Sequence, residues 1–178
     1  MDLIIRNAKL RNKEGLWDIG VEKGKIKAIA NHLEAKAAEE IDANGKLTVP
    51  SFIDPHIHLD KVNIVEVVRP NVTGTLKEAI EIIWDKKARY TIEDIVERAG
   101  DVIRRGVLNG TTRMRTHVDV DTIGGLKPLE GVIAAKNKFK DIMDIETIAF
   151  PQEGIIKDPG CEKLMWEAME MGADIVGG

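Results

Sequence analysis

Residues 49 to 61 read Val49-Pro50-Ser51-Phe52-Ile53-Asp54-Pro55-His56-Ile57-His58-Leu59-Asp60-Lys61, and this stretch decides the fold. Apolar Phe52 and Ile53, following the punctuation of Gly45 and Pro50, predict a short strand over 52–58. Residues two apart in a strand face the same way, so His56 and His58 share one face and one metal ion could take both. Neutral imidazole suits zinc or ferrous iron, and a hydrolytic site needs a metal able to lower the pKa of its water. A bare His-x-His is equally compatible with two histidines in a polar strand end, so the surroundings must decide.

On the amino-terminal side the rhythm is that of short strands over 3–8, 17–22 and 25–29, with Lys23-Gly24 as a tight turn and 47–49 leading out. Residues 1–50 therefore predict a small sheet domain. From Ser51 onward, strand candidates at 52–58, 112–118, 145–150 and 173–176 alternate with helical spacing over 76–89, 92–108, 128–140 and 162–171. Thr91 with Asp94 predicts an amino-terminal cap, and Gly172 sits where a helix commonly stops. This alternation is that of an α/β protein with a parallel sheet, so residues 51–178 predict about four strand-helix units, the first half of a (β/α)8 barrel. Four such strands do not close, and Val176-Gly177-Gly178 falls where a functional loop would begin, so the expectation is part of a longer protein.

Composition narrows the function classes. The 178 residues are 43% apolar and 31% charged, the profile of an ordinary globular protein rather than a disordered one. A net charge of -4, spread evenly, argues against nucleic acid or an anionic membrane as partner. Residues 1–11 alternate apolar and charged side chains without the run a signal peptide or membrane span needs, so a cytoplasmic location is the default expectation. The single Cys161 cannot form an internal disulfide and lacks neighbours at ligand spacing; it reads as a small buried hydrophobe. His32 reads as solvent-facing, and Trp84 and Trp166 as helix packing residues.

Two further strand ends carry polar groups. Arg115-Thr116-His117-Val118-Asp119-Val120-Asp121 leaves His117 with two readings: a contact to substrate or to a group that supports the site from behind its ligands, or a hydrogen-bonded residue lining the barrel. In Ala149-Phe150-Pro151-Gln152-Glu153-Gly154, Gln152 offers both an acceptor and a donor, the pair needed to hold the amide edge of a ring, unless it is a solvated loop residue.

The run from Val49 to Lys61 resembles the first barrel strand of the amidohydrolase superfamily. Arg115 to Asp121 matches the second strand of its cytosine deaminase branch in position, and Phe150-Pro151-Gln152-Glu153-Gly154 resembles the loop that meets the pyrimidine in those enzymes. The resemblance implies that residues 1–50 are the amino-terminal portion of a small β-sandwich-like domain and that residues 51–178 belong to a metal-dependent-hydrolase TIM barrel with one divalent ion, zinc or iron, held by His56 and His58. It implies a heterocyclic small-molecule substrate oriented by Gln152, with His117 a weaker candidate for the same role, and hydrolytic deamination of a pyrimidine-type ring such as cytosine. The family completes its site with later histidines, an Asp and a proton-moving Glu; after His117 this sequence has no histidine, so no catalytic residue is assigned within it and the chain alone is expected to be inactive. The runs Asp60-Lys61, Arg115 to Asp121 and Gly177-Gly178 also resemble the isopropylammelide hydrolases of triazine breakdown; the Phe-Pro-Gln-Glu-Gly run favours the deaminase side. Outside enzymes, the open sheet edges and apolar helix faces are compatible with a non-catalytic subunit that self-associates or joins a carboxyl-terminal half, and the histidine pair with a simple metal-binding module.

Overall fold

The computed structural model describes all residues from Met1 to Gly178, in two compact units, Met1–Pro50 and Ser51–Gly178. The first unit is a sheet built on β1 (Leu3–Leu10), which pairs antiparallel with β2 (Trp17–Glu22); β2 continues into β3 (Lys25–Ala30) through the Lys23-Gly24 turn. On its other side β1 runs parallel to β4 (Glu39–Asp42), and its end meets β5 (Leu47–Thr48). The sequence gives no sign of β4, because Glu39-Glu40-Ile41-Asp42 is exposed throughout and lacks the alternation of a half-buried strand. Backbone pairing to β1 holds it, helped by Arg6, whose guanidinium reaches Glu40 at 2.9 Å and Asp18 at 2.8 Å.

The second unit alternates β6 (Phe52–Ile57), α1 (Leu76–Lys87), α2 (Ile92–Leu108), β7 (Thr111–Asp119), α3 (Lys127–Phe139), β8 (Asp144–Phe150), α4 (Cys161–Met171) and β9 (Ile175–Val176). Its strands lie in the order β6-β7-β8-β9 and are all parallel, as expected of successive right-handed βα units. Alternation along the strands sorts the side chains. Met114, Val118, Ile145 and Ala149 turn toward the helices and join one buried cluster with Ile95, Ile103, Leu129 and Val132. The opposite face of β7 and β8 carries cross-strand ion pairs, Arg113 with Asp144 at 2.5 Å and Arg115 with Glu146.

Local chemistry explains the element ends. The Thr91 hydroxyl accepts from the Asp94 amide at 3.1 Å and caps α2, while the Asp94 carboxylate turns to Lys86 and Arg98 rather than back to the cap. Gly172 ends α4 at φ 112, a left-handed conformation that a side chain would strain. Trp166, expected to pack, is 70% exposed: the buried stripe of α4 is Cys161, Met165 and Ala168, and Trp166 falls one position off it.

Candidate active site

Parallel β6, β7 and β8 bring their carboxyl ends side by side, and the polar residues past those ends share one region. β6 closes at Ile57, so His58 lies just beyond the strand, and pairing to β7 is irregular between Asp54 and Ile57. The two histidines nevertheless approach each other, with ring centroids 5.3 Å apart. His117, at the end of β7, stacks on His56 at 4.1 Å and stands 5.7 Å from His58. Phe150, at the end of β8, turns its ring edge-on to His58 and His117 and limits how those imidazoles can rotate.

Burial, with the nearby Lys61 ammonium, pushes His58 down to about 4, so its ring is neutral near pH 7. Burial and the neighbouring His56 and Arg115 also hold His117 below its ordinary value. The Nδ1 atoms of both His58 and His117 are buried without a hydrogen-bond partner, so the hydrogen bond that would mark His117 as a barrel-lining residue is absent at that atom. No three His, Cys, Asp or Glu side chains of the chain converge as a metal-holding group. A divalent ion does suit His56 and His58 as a donor set: two close imidazoles, one neutral and presenting a buried, unengaged nitrogen.

Around the histidines lies a charge network that the sequence reading did not find. The Lys61 Nζ donates to Asp119 Oδ1 at 2.6 Å and to Gln152 Oε1 at 3.4 Å, which draws Gln152 toward the end of β7. Beneath it, the ammonium of Lys87, the last residue of α1, stands 2.8 Å from Asp119 and 2.5 Å from Asp121, with all three side chains almost fully buried. Burial alone would lower the Lys87 pKa; Asp119 and Asp121 outweigh it and hold the ammonium above its ordinary value. Asp60, wholly buried, is pushed up to about 7 by burial and by Asp119. The loop bearing Asp60 is pinned by Arg98, which donates to the carbonyls of Asp60 at 3.0 Å and Val62 at 2.7 Å. Trp84 Nε1 donates to Glu153 at 2.8 Å and ties α1 to the loop after β8. One signal in the sequence could have found Lys87: it falls on the Leu76, Ile80, Ile83 face of α1, where a lysine needs a buried partner.

The parallel strand-helix array, with polar side chains past the carboxyl ends of its strands, corresponds to about half of a TIM barrel. Residues 39–106 match the model of the amidohydrolase family. The chain is 39% identical, over 99% of its length, to N-isopropylammelide isopropyl amidohydrolase of Pseudomonas sp. (strain ADP), of which it covers 45%. It superposes with a TM-score of 0.85 on 5-methylcytosine deaminase from Klebsiella pneumoniae liganded with 5-fluorocytosine, at 41% identity over 98% of this chain and 43% of that one. The TM-score is 0.87 against N-isopropylammelide isopropylaminohydrolase from Burkholderia multivorans, at 30% identity over 100% of this chain and 45% of that one. The chain belongs to the amidohydrolase superfamily and is cytosine deaminase-like. It spans less than half the length of these relatives.

Proposed function

We propose that the chain is the part of a larger metal-dependent hydrolase that holds the ion and orients the ring, and that the whole enzyme breaks a carbon-nitrogen bond of a pyrimidine-type ring such as cytosine. The observation that carries this reading is the meeting of His56, His58, His117 and, through Lys61, Gln152 past the ends of three parallel strands. His56 and His58 hold one divalent ion, zinc or iron. Bound there, the ion supplies Lewis acidity and a water nucleophile at neutral pH. Water adds at the ring carbon bearing the amine, the carbon-nitrogen bond breaks, ammonia leaves, and the ring keeps the oxygen as a carbonyl; groups outside this chain move the protons.

The chain's own residues set the stage for that reaction. Phe150 and the burial of His58 keep the imidazole oriented and unprotonated, ready to donate a lone pair. Lys61 engages the carbonyl oxygen of Gln152 and leaves its amide N–H groups free to meet an acceptor on the ring edge. Hydrolysis of an alkylamino-triazine is the second reading, favoured by 39% identity to the Pseudomonas enzyme; the Phe150 to Gly154 run favours the pyrimidine.

Two outcomes are expected. The chain tested alone releases ammonia from cytosine only at background, and turnover that survives purification and disappears with a chelator would refute this. In the whole enzyme, Gln152→Ala keeps its metal but loses about ten-fold or more in kcat/KM on cytosine, since each hydrogen bond lost from a buried ring edge costs about 1–3 kcal/mol. Wild-type kinetics on cytosine in that variant would show that the loop does not read the pyrimidine.

A further inference from the structure

Lys61 links the histidine pair to the loop after β8. Its backbone amide donates to the His58 carbonyl at 3.1 Å, so it follows the histidines by a single turn. Its ammonium is anchored on Asp119, whose Oδ1 accepts at 2.6 Å and whose wholly buried carboxylate is itself held by Lys87 at 2.8 Å. The Lys61 side chain is only 17% exposed, so packing and this pair, rather than solvent, set its position. The loop after β8 is fixed as well: the Gln152 amide donates to the Phe150 carbonyl at 2.9 Å, and Glu153 accepts from Trp84 at 2.8 Å. What packing leaves open is which end of the Gln152 side-chain amide faces which way, because its oxygen and nitrogen have nearly the same shape.

Lys61 decides that orientation. With the oxygen toward Lys61, the ammonium donates to it at 3.4 Å; with the amide turned over, N–H donors would face N–H donors across the same gap. The first arrangement is attractive and the second repulsive, and that sign does not depend on the exact length of the contact. With its oxygen engaged, Gln152 shows a ligand only donors. The Lys61 ammonium has three protons, and the chain supplies acceptors for two of them, at Asp119 and Gln152. Neighbouring donors of this kind match a ring carbonyl oxygen, whose two lone pairs can accept from both. They oppose an exocyclic amino group, which brings donors of its own.

We propose that Lys61 is a positioning residue that fixes the Gln152 amide, and so makes the site select rings with an oxo oxygen on the side facing Gln152 and reject rings with an amino group there. The inference rests on the ring-binding role given above to Gln152. When Lys61 is replaced, Asp119 keeps its contact with Lys87, so Lys61→Met strands no buried carboxylate and its effects report on the site.

Two measurements test it. In this chain, the side-chain amide resonances of Gln152, identified by their loss in Gln152→Ala, should shift in Lys61→Met and return in Lys61→Arg, which keeps a cationic donor. Resonances that do not move in Lys61→Met would overturn the contact, whatever the whole enzyme acts on. The whole enzyme is then assayed on cytosine and on 2,4-diaminopyrimidine, which has an amino group in place of the oxo oxygen, at a mildly alkaline pH where both rings are neutral. Wild type is expected to favour cytosine by about 100-fold or more in kcat/KM, because the site's donors face donors on the other ring. In Lys61→Met the amide can turn over, and that ratio should fall by about ten-fold or more; Lys61→Arg should restore it. Damage to the fold alone would lower activity on both rings alike and leave the ratio unchanged. A wild-type ratio in a Lys61→Met enzyme that retains its metal would therefore overturn the positioning role while leaving the ring-reading role of Gln152 standing. Turnover of neither ring by the wild-type enzyme would overturn the proposed reaction and, with it, the selection between rings.

Discussion

Changing both His56 and His58 to alanine in the whole enzyme is expected to abolish metal retention and to reduce hydrolysis of every substrate to background. The two rings lie 5.3 Å apart and His58 presents a buried, unengaged nitrogen, so on the proposed reading the pair would supply two of the three or more protein ligands that a catalytic metal needs. Alanine offers no replacement donor, and the remaining ligands would hold the ion too weakly to survive dialysis. This pattern separates the histidines from Gln152, whose loss should leave the metal in place. Metal content after dialysis, read beside steady-state kinetics, distinguishes the two. A double variant that keeps a full complement of metal would mean that His56 and His58 are not its ligands.

Lys87→Met is expected to destabilise the Ser51–Gly178 unit by about 3–5 kcal/mol, the usual cost of removing one partner from a buried ion pair. Methionine nearly matches the lysine stem but leaves Asp119 and Asp121 buried, with only Lys61 still paired to Asp119. The stem is tightly enclosed: a Cβ added at Gly124 would stand 2.8 Å from Lys87 Cγ. The sign of the pH dependence follows from the Lys87 pKa, which is raised in the fold. Its contribution is fully present below the unfolded lysine value of about 10.5 and is lost as pH rises through the higher folded value. The deficit of the variant should therefore be full at pH 7 and shrink only in strong alkali, as pH rises through the folded value and wild-type Lys87 loses its proton. Urea unfolding followed by the near-ultraviolet signal of Trp84 measures it. An unfolding free energy within about 1 kcal/mol of wild type at pH 7 would show that the network does not support the fold.

Much of the fold is legible locally. Gly45 and Pro50 mark the change of rhythm, apolar residues at three- and four-residue intervals give α1 to α4, and four short apolar runs give β6 to β9. The outliers have physical causes. β4 is polar and exists through pairing with β1, and Trp166 misses the buried stripe of α4 by one position. At the site, the spacing of His56 and His58 and the place of Lys87 on the apolar face of α1 are visible in the sequence, whereas the partners of Lys87 and the roles of Asp119 and Trp84 are not. Lys87 and Asp121 are 34 positions apart, and Trp84 and Glu153 are 69 apart. Read locally, Lys87 is a basic residue in the last turn of a helix, where a solvated side chain would satisfy the dipole equally well.

The sequence by itself determined the alternation of strands and helices, because period and side-chain direction follow from the covalent geometry of a few consecutive residues; that His56 and His58 approach each other although His58 lies beyond β6 took the tertiary structure. Only the tertiary structure decided that His117 stacks on His56, that Lys61 holds the oxygen of Gln152, and that Lys87 lies buried between two aspartates. Those contacts depend on the parallel register of β6, β7 and β8 and on how α1 packs beside their ends, and they join residues too far apart in the chain for any local pattern to report.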